Sequence, residues 1–473
     1  MSPLPPSRRK ASDYGKFTTG KFITGKFTTV DSILEGPAMP ESNDRPRSIQ
    51  VPILTRVEGE GALNVRLRGK QIEEVQLRIY EPPRFFEALL RGKPMDDVPD
   101  ITSRICGICP IAYQMTSVQA LEAIQGITIE PGIAQLRRLM YCAEWIESHV
   151  LHIHLLHAPD FFDCDSAIEL AKKYPEQVKR GLKLKQIGNR VLEILGGRAI
   201  HPINLAIGGF YRLPKQEELM ALIPELEWGL QHSIETAQWL SGLPFPDFEA
   251  PYEFVALVCP DKYPIESGSI ASSEHASISV ENYEAHFCEV QVPHSTALQA
   301  RKKPDDTTYF VGPLARMHWN FERLTPLAKR TAEAIGMTPP CRNPHKGILA
   351  RAVETIFAFE EGLSILRSLA LPTRSRTPYQ VRSGEGMAAT EAPRGLIFHR
   401  YRVDGEGKVE FAKIVPPTSQ NQGQIEADLR QLLERLIECD DAKIAIDCER
   451  LVRTYDPCIS CSTHFLKLHI ERT

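Results

Sequence analysis

Two Cys-x-x-Cys elements stand near opposite ends of the chain, Cys106-Gly-Ile-Cys109 and Cys458-Ile-Ser-Cys461. Two-residue spacing lets both sulfurs of a pair turn toward one ion, and four soft thiolates suit zinc, iron or nickel. Zinc ribbons keep their pairs roughly 15–20 residues apart. Here nearly the whole body of the protein separates them, so a site using both pairs is expected at the centre of the fold rather than in a surface knuckle. On spacing alone, a structural zinc that ties the two ends together is as good a reading as a reactive centre. Four histidines, His149, His152, His154 and His157, form a second tempting group. Spacings of three, two and three do not put them on one helical face, which argues against a shared ion.

The elements that must carry these residues are mostly helical. Residues 49–81 alternate apolar and polar on both sides of Gly69-Lys70, the pattern of a β-hairpin or small antiparallel sheet. Apolar residues then recur three and four apart over Ala112–Gln125, Gly132–His157, Glu176–Leu195 and Glu217–Leu240. Pro251–Pro293 is richer in Val, Tyr and Gly and reads as a second small β region. Helices are expected again over Leu327–Gly336 and Gly347–Leu369, and a last one over Gln424–Glu438 leads to the second cysteine pair. The fold class is α+β, mainly α: a large helical body with long antiparallel helices and small attached β-sheets. No clean linker divides it, so one large unit is expected over residues 48–464.

The chain's 473 residues carry 56 basic and 60 acidic side chains, a net charge of -4. That balance leaves no basic footprint for nucleic acid. No run of about 18 apolar residues occurs, so no membrane span is expected. The 11 cysteines are scattered and odd in number, which points to a reducing compartment, the cytoplasm. Residues 1–47 contain the near-repeat GKFTT-GKFIT-GKFTT among Pro, Ser and charge and are expected to form a flexible arm. Arg8 and Arg9 lack a following apolar stretch and are not read as an export signal.

The residues around the cysteines decide between zinc and a reactive metal. Arg104-Ile-Cys-Gly-Ile-Cys109 and Asp456-Pro-Cys-Ile-Ser-Cys-Ser-Thr-His464 resemble the R-x-C-G-x-C and D-P-C-x-x-C-x-x-H signatures of [NiFe]-hydrogenase large subunits. Arg56-Val-Glu-Gly59, Phe86-Glu87, Ser148-His-x-x-His152, Gly196-Gly-x-x-x-His-Pro202, Gly386-x-x-x-x-Glu-Ala-Pro-Arg-Gly395 and Pro417-Thr-Ser-Gln-Asn421 match further family elements in order. The related core subunit of respiratory complex I has lost the thiolates that this chain keeps.

The resemblance implies reversible splitting of H2 at nickel held by four thiolates, with an iron carrying one CO and two cyanides. By position, Cys109 and Cys461 bridge the metals, and Cys106 and Cys458 are terminal on nickel. Cys458 is the first candidate for proton acceptor. Arg394 orients or assists, Asp456 is its ionic partner, and Glu58 rather than Glu60 carries the proton onward. Thr418, Pro393 and Ala392 would surround the diatomic ligands. Glu87 and His464 match a second site whose common occupant is Mg2+, while His149 and His152 are expected to support the centre without binding metal. Tyr113 and Ser148, where other members carry His and Asp, resemble the cytoplasmic, NAD(P)-coupled branch.

The chain contains no other Cys-rich run and no Gly-rich dinucleotide fingerprint, so no Fe-S cluster or NAD(P) site is expected in it. The resemblance therefore implies an Fe-S small subunit as partner, with diaphorase or NAD(P)-reducing subunits beyond it. It also implies nickel chaperones and a maturation protease, which would remove the tail 465–473. The alternative is a hydrogen-sensing or non-catalytic metal-binding subunit of a redox complex.

Overall fold

Alternation in the first β segment produces what it predicts. In this computed structural model, which describes residues 46–463 apart from 274 and 276, β1 (Pro46–Val51), β2 (Gly61–Arg68) and β3 (Gln71–Ile79) form one antiparallel sheet in that order. The turn falls at Gly69-Lys70. Leu63 pairs with Leu77 and Val65 with Val75 on the buried face. β1 begins two residues inside the stretch read as an arm. The remainder of that arm, His464 and the tail 465–473 lie outside the described residues.

Seven long helices occur among the described residues, most of them where the apolar periods fall. They are α1 (Pro110–Gln125), α2 (Pro131–Leu151), α3 (Pro175–Gly196), α4 (Ile223–Ser241), α5 (Gly347–Ser368), α6 (Pro417–Leu436) and α7 (Asp441–Thr454). Proline occupies the first turn of α1 to α4 and α6, where its missing N–H costs no helical hydrogen bond. α2 packs on α3 and α5, and α5 packs on α4. Their shared interior holds Trp145, Tyr141 and Phe357, all essentially out of solvent. No helix among the described residues is long and apolar enough to cross a membrane.

Several expectations need correction. Glu217–Leu240 is two helices, Gln216–Met220 and α4, because Pro224 starts a new one. α2 ends at Leu151, and His152–His157 continues as a π-helical turn. α6 starts at Pro417 rather than Gln424, and α7 had no sequence expectation at all. A second three-stranded sheet was also not expected: β4 (Gly384–Ala392), β5 (Gly395–Val403) and β6 (Val409–Val415). It packs on α1, which brings the Glu391–Arg394 stretch toward the helix that Cys109 begins.

Candidate metal centre

The four cysteine sulfurs lie within 4.8 Å of one another and are all buried. Cys106 Sγ is 3.0 Å from Cys109 Sγ and 3.5 Å from Cys458 Sγ, and Cys458 and Cys461 are 2.8 Å apart. Each pair is positioned by its backbone. Cys106 Sγ accepts the N–H groups of Ile108 and Cys109, at 3.3 and 3.1 Å. Cys109 stands at the N-cap of α1, and the first N–H groups of that helix, those of Ile111 and Ala112, donate to the buried Glu144 carboxylate at 2.6 and 3.1 Å. On the other side, Cys458 N–H donates to Thr418 Oγ1 at 3.0 Å, and the strand-like bridge Glu58–Cys458 ties the first sheet's lead-in to the C-terminal segment. Gly59 makes that approach possible. It has φ 87, and a Cβ there would sit 2.8 Å from Ile459 Cβ and 2.9 Å from Ser460 N.

Electrostatics favour a metal in this nest. Burial opposes charge on every sulfur. At Cys106, hydrogen bonds from the other three thiols and the Arg394 charge overcome it and pull the thiol well below its usual range. At Cys458 burial wins, helped by the neighbouring sulfurs, and pushes the thiol well above that range. Deprotonating all four in so small a dry space requires a soft multivalent cation. Nearby, the Tyr113 hydroxyl, Arg394 Nη1 and Asp456 Oδ2 are buried without a hydrogen-bond partner among the described residues. Such orphaned groups fit ligands that the protein itself does not supply.

The sequence-derived acid–base candidates converge on one edge of the sulfurs. Cys458 Sγ is 3.0 Å from Glu58 Oε2, and Ser460 N–H donates to the same oxygen at 3.1 Å. Glu58 is half-buried whereas Glu60 is exposed. Arg394 donates through Nε to Asp456 O at 2.7 Å and through Nη2 to Asp456 Oδ1 at 3.2 Å, and both side chains are buried. Burial disfavours the Arg394 charge, yet Asp456 and the cysteines raise its pKa well above the ordinary value. Pro393 and Ala392 are buried beside it.

Glu87 lies apart from this group. Its Oε1 accepts Ile414 N–H at 2.8 Å, and burial together with Glu289 pushes the carboxyl up to about 8. His464, its expected companion, falls outside the described residues. His149, His152, His154 and His157 are all buried and do not form a metal cluster. His149 Nε2 lies 2.9 Å from Glu354 Oε2, His152 Nε2 lies 2.8 Å from Arg453 O, and His154 stacks on Trp239.

Sequence reasoning missed the fully buried network of Arg316, Glu354 and Glu391 behind Arg394. A signal existed: Arg351 and Glu354 interrupt an otherwise apolar stretch of α5, and charges buried there need partners.

Four buried thiols beside a carboxylate, held between helices and small sheets, define a candidate metal centre. The family model described as nickel-dependent hydrogenase matches residues 84–181 and 299–464. Sulfhydrogenase 1 subunit alpha of Pyrococcus furiosus is 33% identical over 425 residues, covering 89% of this chain and 98% of that protein. The NAD-reducing hydrogenase HoxS subunit beta of Cupriavidus necator is 26% identical over 471 residues, covering 89% and 95%. A crystal structure of an NAD+-reducing [NiFe]-hydrogenase in the H2-reduced state superposes with a TM-score of 0.82 at 25% identity, covering 88% of this chain and 99% of that one. The chain belongs to the nickel-dependent hydrogenase family. It is the catalytic large subunit of a [NiFe]-hydrogenase.

Proposed function

We propose that the four cysteines hold nickel, that Cys109 and Cys461 also hold an iron bearing one CO and two cyanides, and that the chain splits H2 reversibly into protons and electrons. The observation that carries this reading is the 3.0 Å contact between Cys458 Sγ and Glu58 Oε2 at the edge of the tetrathiolate. When bound, the metal pair supplies the electrophile that makes H2 acidic enough to cleave heterolytically.

The chain's residues do the rest. Cys458 takes the proton, and Glu58 receives it across one hydrogen bond. Both Glu58 contacts fall on Oε2, which leaves Oε1 available to hand the proton onward. Arg394, fixed twice by Asp456, serves as an oriented cation. A base in that role would first have to give up a guanidinium proton. The Thr418 hydroxyl already accepts Cys458 N–H, so its own proton is free for a cyanide, while Pro393 and Ala392 wall the remaining diatomics. At the second site, Glu87 and His464 hold Mg2+. A buried carboxylate beside Glu289 is a setting in which a hard cation relieves repulsion.

Electrons leave through an Fe-S small subunit and pass to NAD(P) by way of diaphorase or NAD(P)-reducing subunits. The likeness to NAD-reducing enzymes supports this acceptor. The cytoplasm is the assigned compartment, in keeping with eleven free thiols. Nickel chaperones load the site and a maturation protease removes 465–473. Infrared spectroscopy with metal analysis of the intact complex tests the centre. Bands of CO and cyanide with stoichiometric nickel are expected, and zinc alone would end the proposal. Hydrogen uptake with NAD(P)+ tests the acceptor.

A further inference from the structure

Arg316 sits in the short helix Pro313–Asn320, fully buried and outside every motif that carries the family resemblance. A guanidinium has five N–H donors, and here all five are used. Nε and Nη2 meet the two oxygens of Glu354 at 2.7 Å each. Nη1 reaches Glu391 Oε2 at 3.0 Å and Ala392 O at 2.9 Å, and Nη2 also reaches Pro393 O at 2.9 Å. Trp145, whose ring centroid is 4.4 Å from the guanidinium carbon, donates to Glu391 O at 3.1 Å. Three successive carbonyls are thus each held by a buried side-chain donor, and the next residue is Arg394.

Stability alone does not explain this arrangement. Burying a charged group is costly, and apolar side chains of similar volume hold a core together as well or better. What apolar groups cannot do is fix the direction of two adjacent peptide planes. The charges here are also tightly matched. Burial raises the Glu354 carboxyl, but Arg316 overrides it and holds the group at about 2. The backbone closes the frame from the other side. Arg316 N–H donates to Gly312 O at 2.9 Å, and a Cβ on Gly312 would come within 3.0 Å of Arg394 O.

We infer that Arg316, braced by Glu354, is a positioning residue that fixes the Ala392–Pro393 peptide planes and thereby sets where the Arg394 guanidinium and the Pro393 wall stand beside the four sulfurs. The inference rests on the nickel–iron reading of those sulfurs. Lysine would keep the charge but offers donors from a single point, which cannot reproduce a two-toothed contact to Glu354 and two carbonyls together.

The test uses the metal-loaded complex with Arg316→Lys. Nickel and iron contents should stay near wild type, while the CO and cyanide infrared bands shift and broaden. The value of kcat should fall at least about tenfold, within the roughly 100-fold that a displacement of about 1 Å costs, with KM for H2 little changed. If Arg316→Lys fails to accumulate or to load metal, Glu354→Gln decides by the same readouts. It keeps the arginine and removes one brace, so a smaller drop with the same band shift is expected. A lowered melting temperature with wild-type bands and kcat would overturn the inference and leave Arg316 a purely structural residue. Wild-type protein without diatomic bands would overturn the nickel–iron reading and this inference together. Bands present in wild type and unmoved in the variants would overturn this inference alone.

Discussion

The two cysteine pairs share a spacing and differ in nearly everything around it. Cys106 and Cys109 sit where a loop enters α1. Backbone N–H groups hold the Cys106 sulfur, Cys109 stands at the head of α1, and among the described residues no carboxylate hydrogen-bonds either sulfur. Cys458 and Cys461 sit on a short turn, where a carboxylate from the β1–β2 loop and a hydroxyl from the first turn of α6 reach in from far away in sequence. On the proposed reading, the first half would hold metal and the second would carry the proton traffic. Identical ligand types acquire different jobs from the groups one hydrogen bond further out.

That contrast can be broken. Cys106→Ser should leave under a tenth of the nickel and abolish measurable turnover, a loss of at least about 1000-fold in the range seen when a catalytic group that acts as part of a unit is removed. Nickel analysis beside hydrogen uptake would check it, and normal nickel would mean that the first pair is not the holding half. Glu58→Gln should behave differently. Metals should remain, while hydrogen–deuterium exchange slows about 100-fold, as expected on losing a proton carrier. Exchange at the wild-type rate would remove the functional difference between the halves.

Acid should attack the scaffold under both halves alike. Burial holds the His149 and His154 imidazoles neutral, down to about 4 and about 3, against about 6.5 in an unfolded chain. The unfolded state therefore binds protons first. The stability these residues contribute is complete above pH 6.5 and is lost as pH falls toward the folded values, by about 1.4 kcal/mol per pH unit for each histidine. Denaturant midpoints between pH 7 and pH 5 would measure the slope. His154→Gln should reduce it by one proton, and an unchanged slope would refute the assignment. The smallest effect is expected from Thr418→Val, which leaves Cys458 N–H without its acceptor at a cost of about 1–3 kcal/mol in stability. It should shift a cyanide band while metals stay bound, and an unshifted band would remove Thr418 from the second half's machinery.

Much of this site could be read from the residues, for physical reasons. Thiol pairs have few uses, and the hairpin around Gly69-Lys70 shows a clean two-residue period because one face is buried. The elements that escaped lacked such a contrast. β4 and β5 are buried almost throughout, so no polar face marks them as strands. The first turns of α6 bury Thr418, Ser419, Gln420 and Asn421, polar residues that erase the apolar period although each meets a partner inside. The π-helical turn at His152–His157 rotates side chains off the faces that a 3.6-residue period assigns. The apolar surroundings of Glu354 in α5 mark a buried charge, but Arg316 lies 38 residues from Glu354 and 75 from Glu391 in sequence, so the pattern does not say which charge meets it.

The contact between Cys106 and Cys458 joins residues 352 positions apart. At a translation rate of about 5–20 residues per second, the first pair waits roughly 20–70 s before its counterpart has even been synthesised. Throughout that interval the nascent chain displays two thiols, half of a coordination shell. The carboxylate at Glu58 waits slightly longer for the sulfur it will touch. The set of four thiols is therefore complete only when the last part of the site has been synthesised. A chain that stops anywhere before Cys461 cannot offer four sulfurs, so metal loading reports that synthesis ran through to the end of the site.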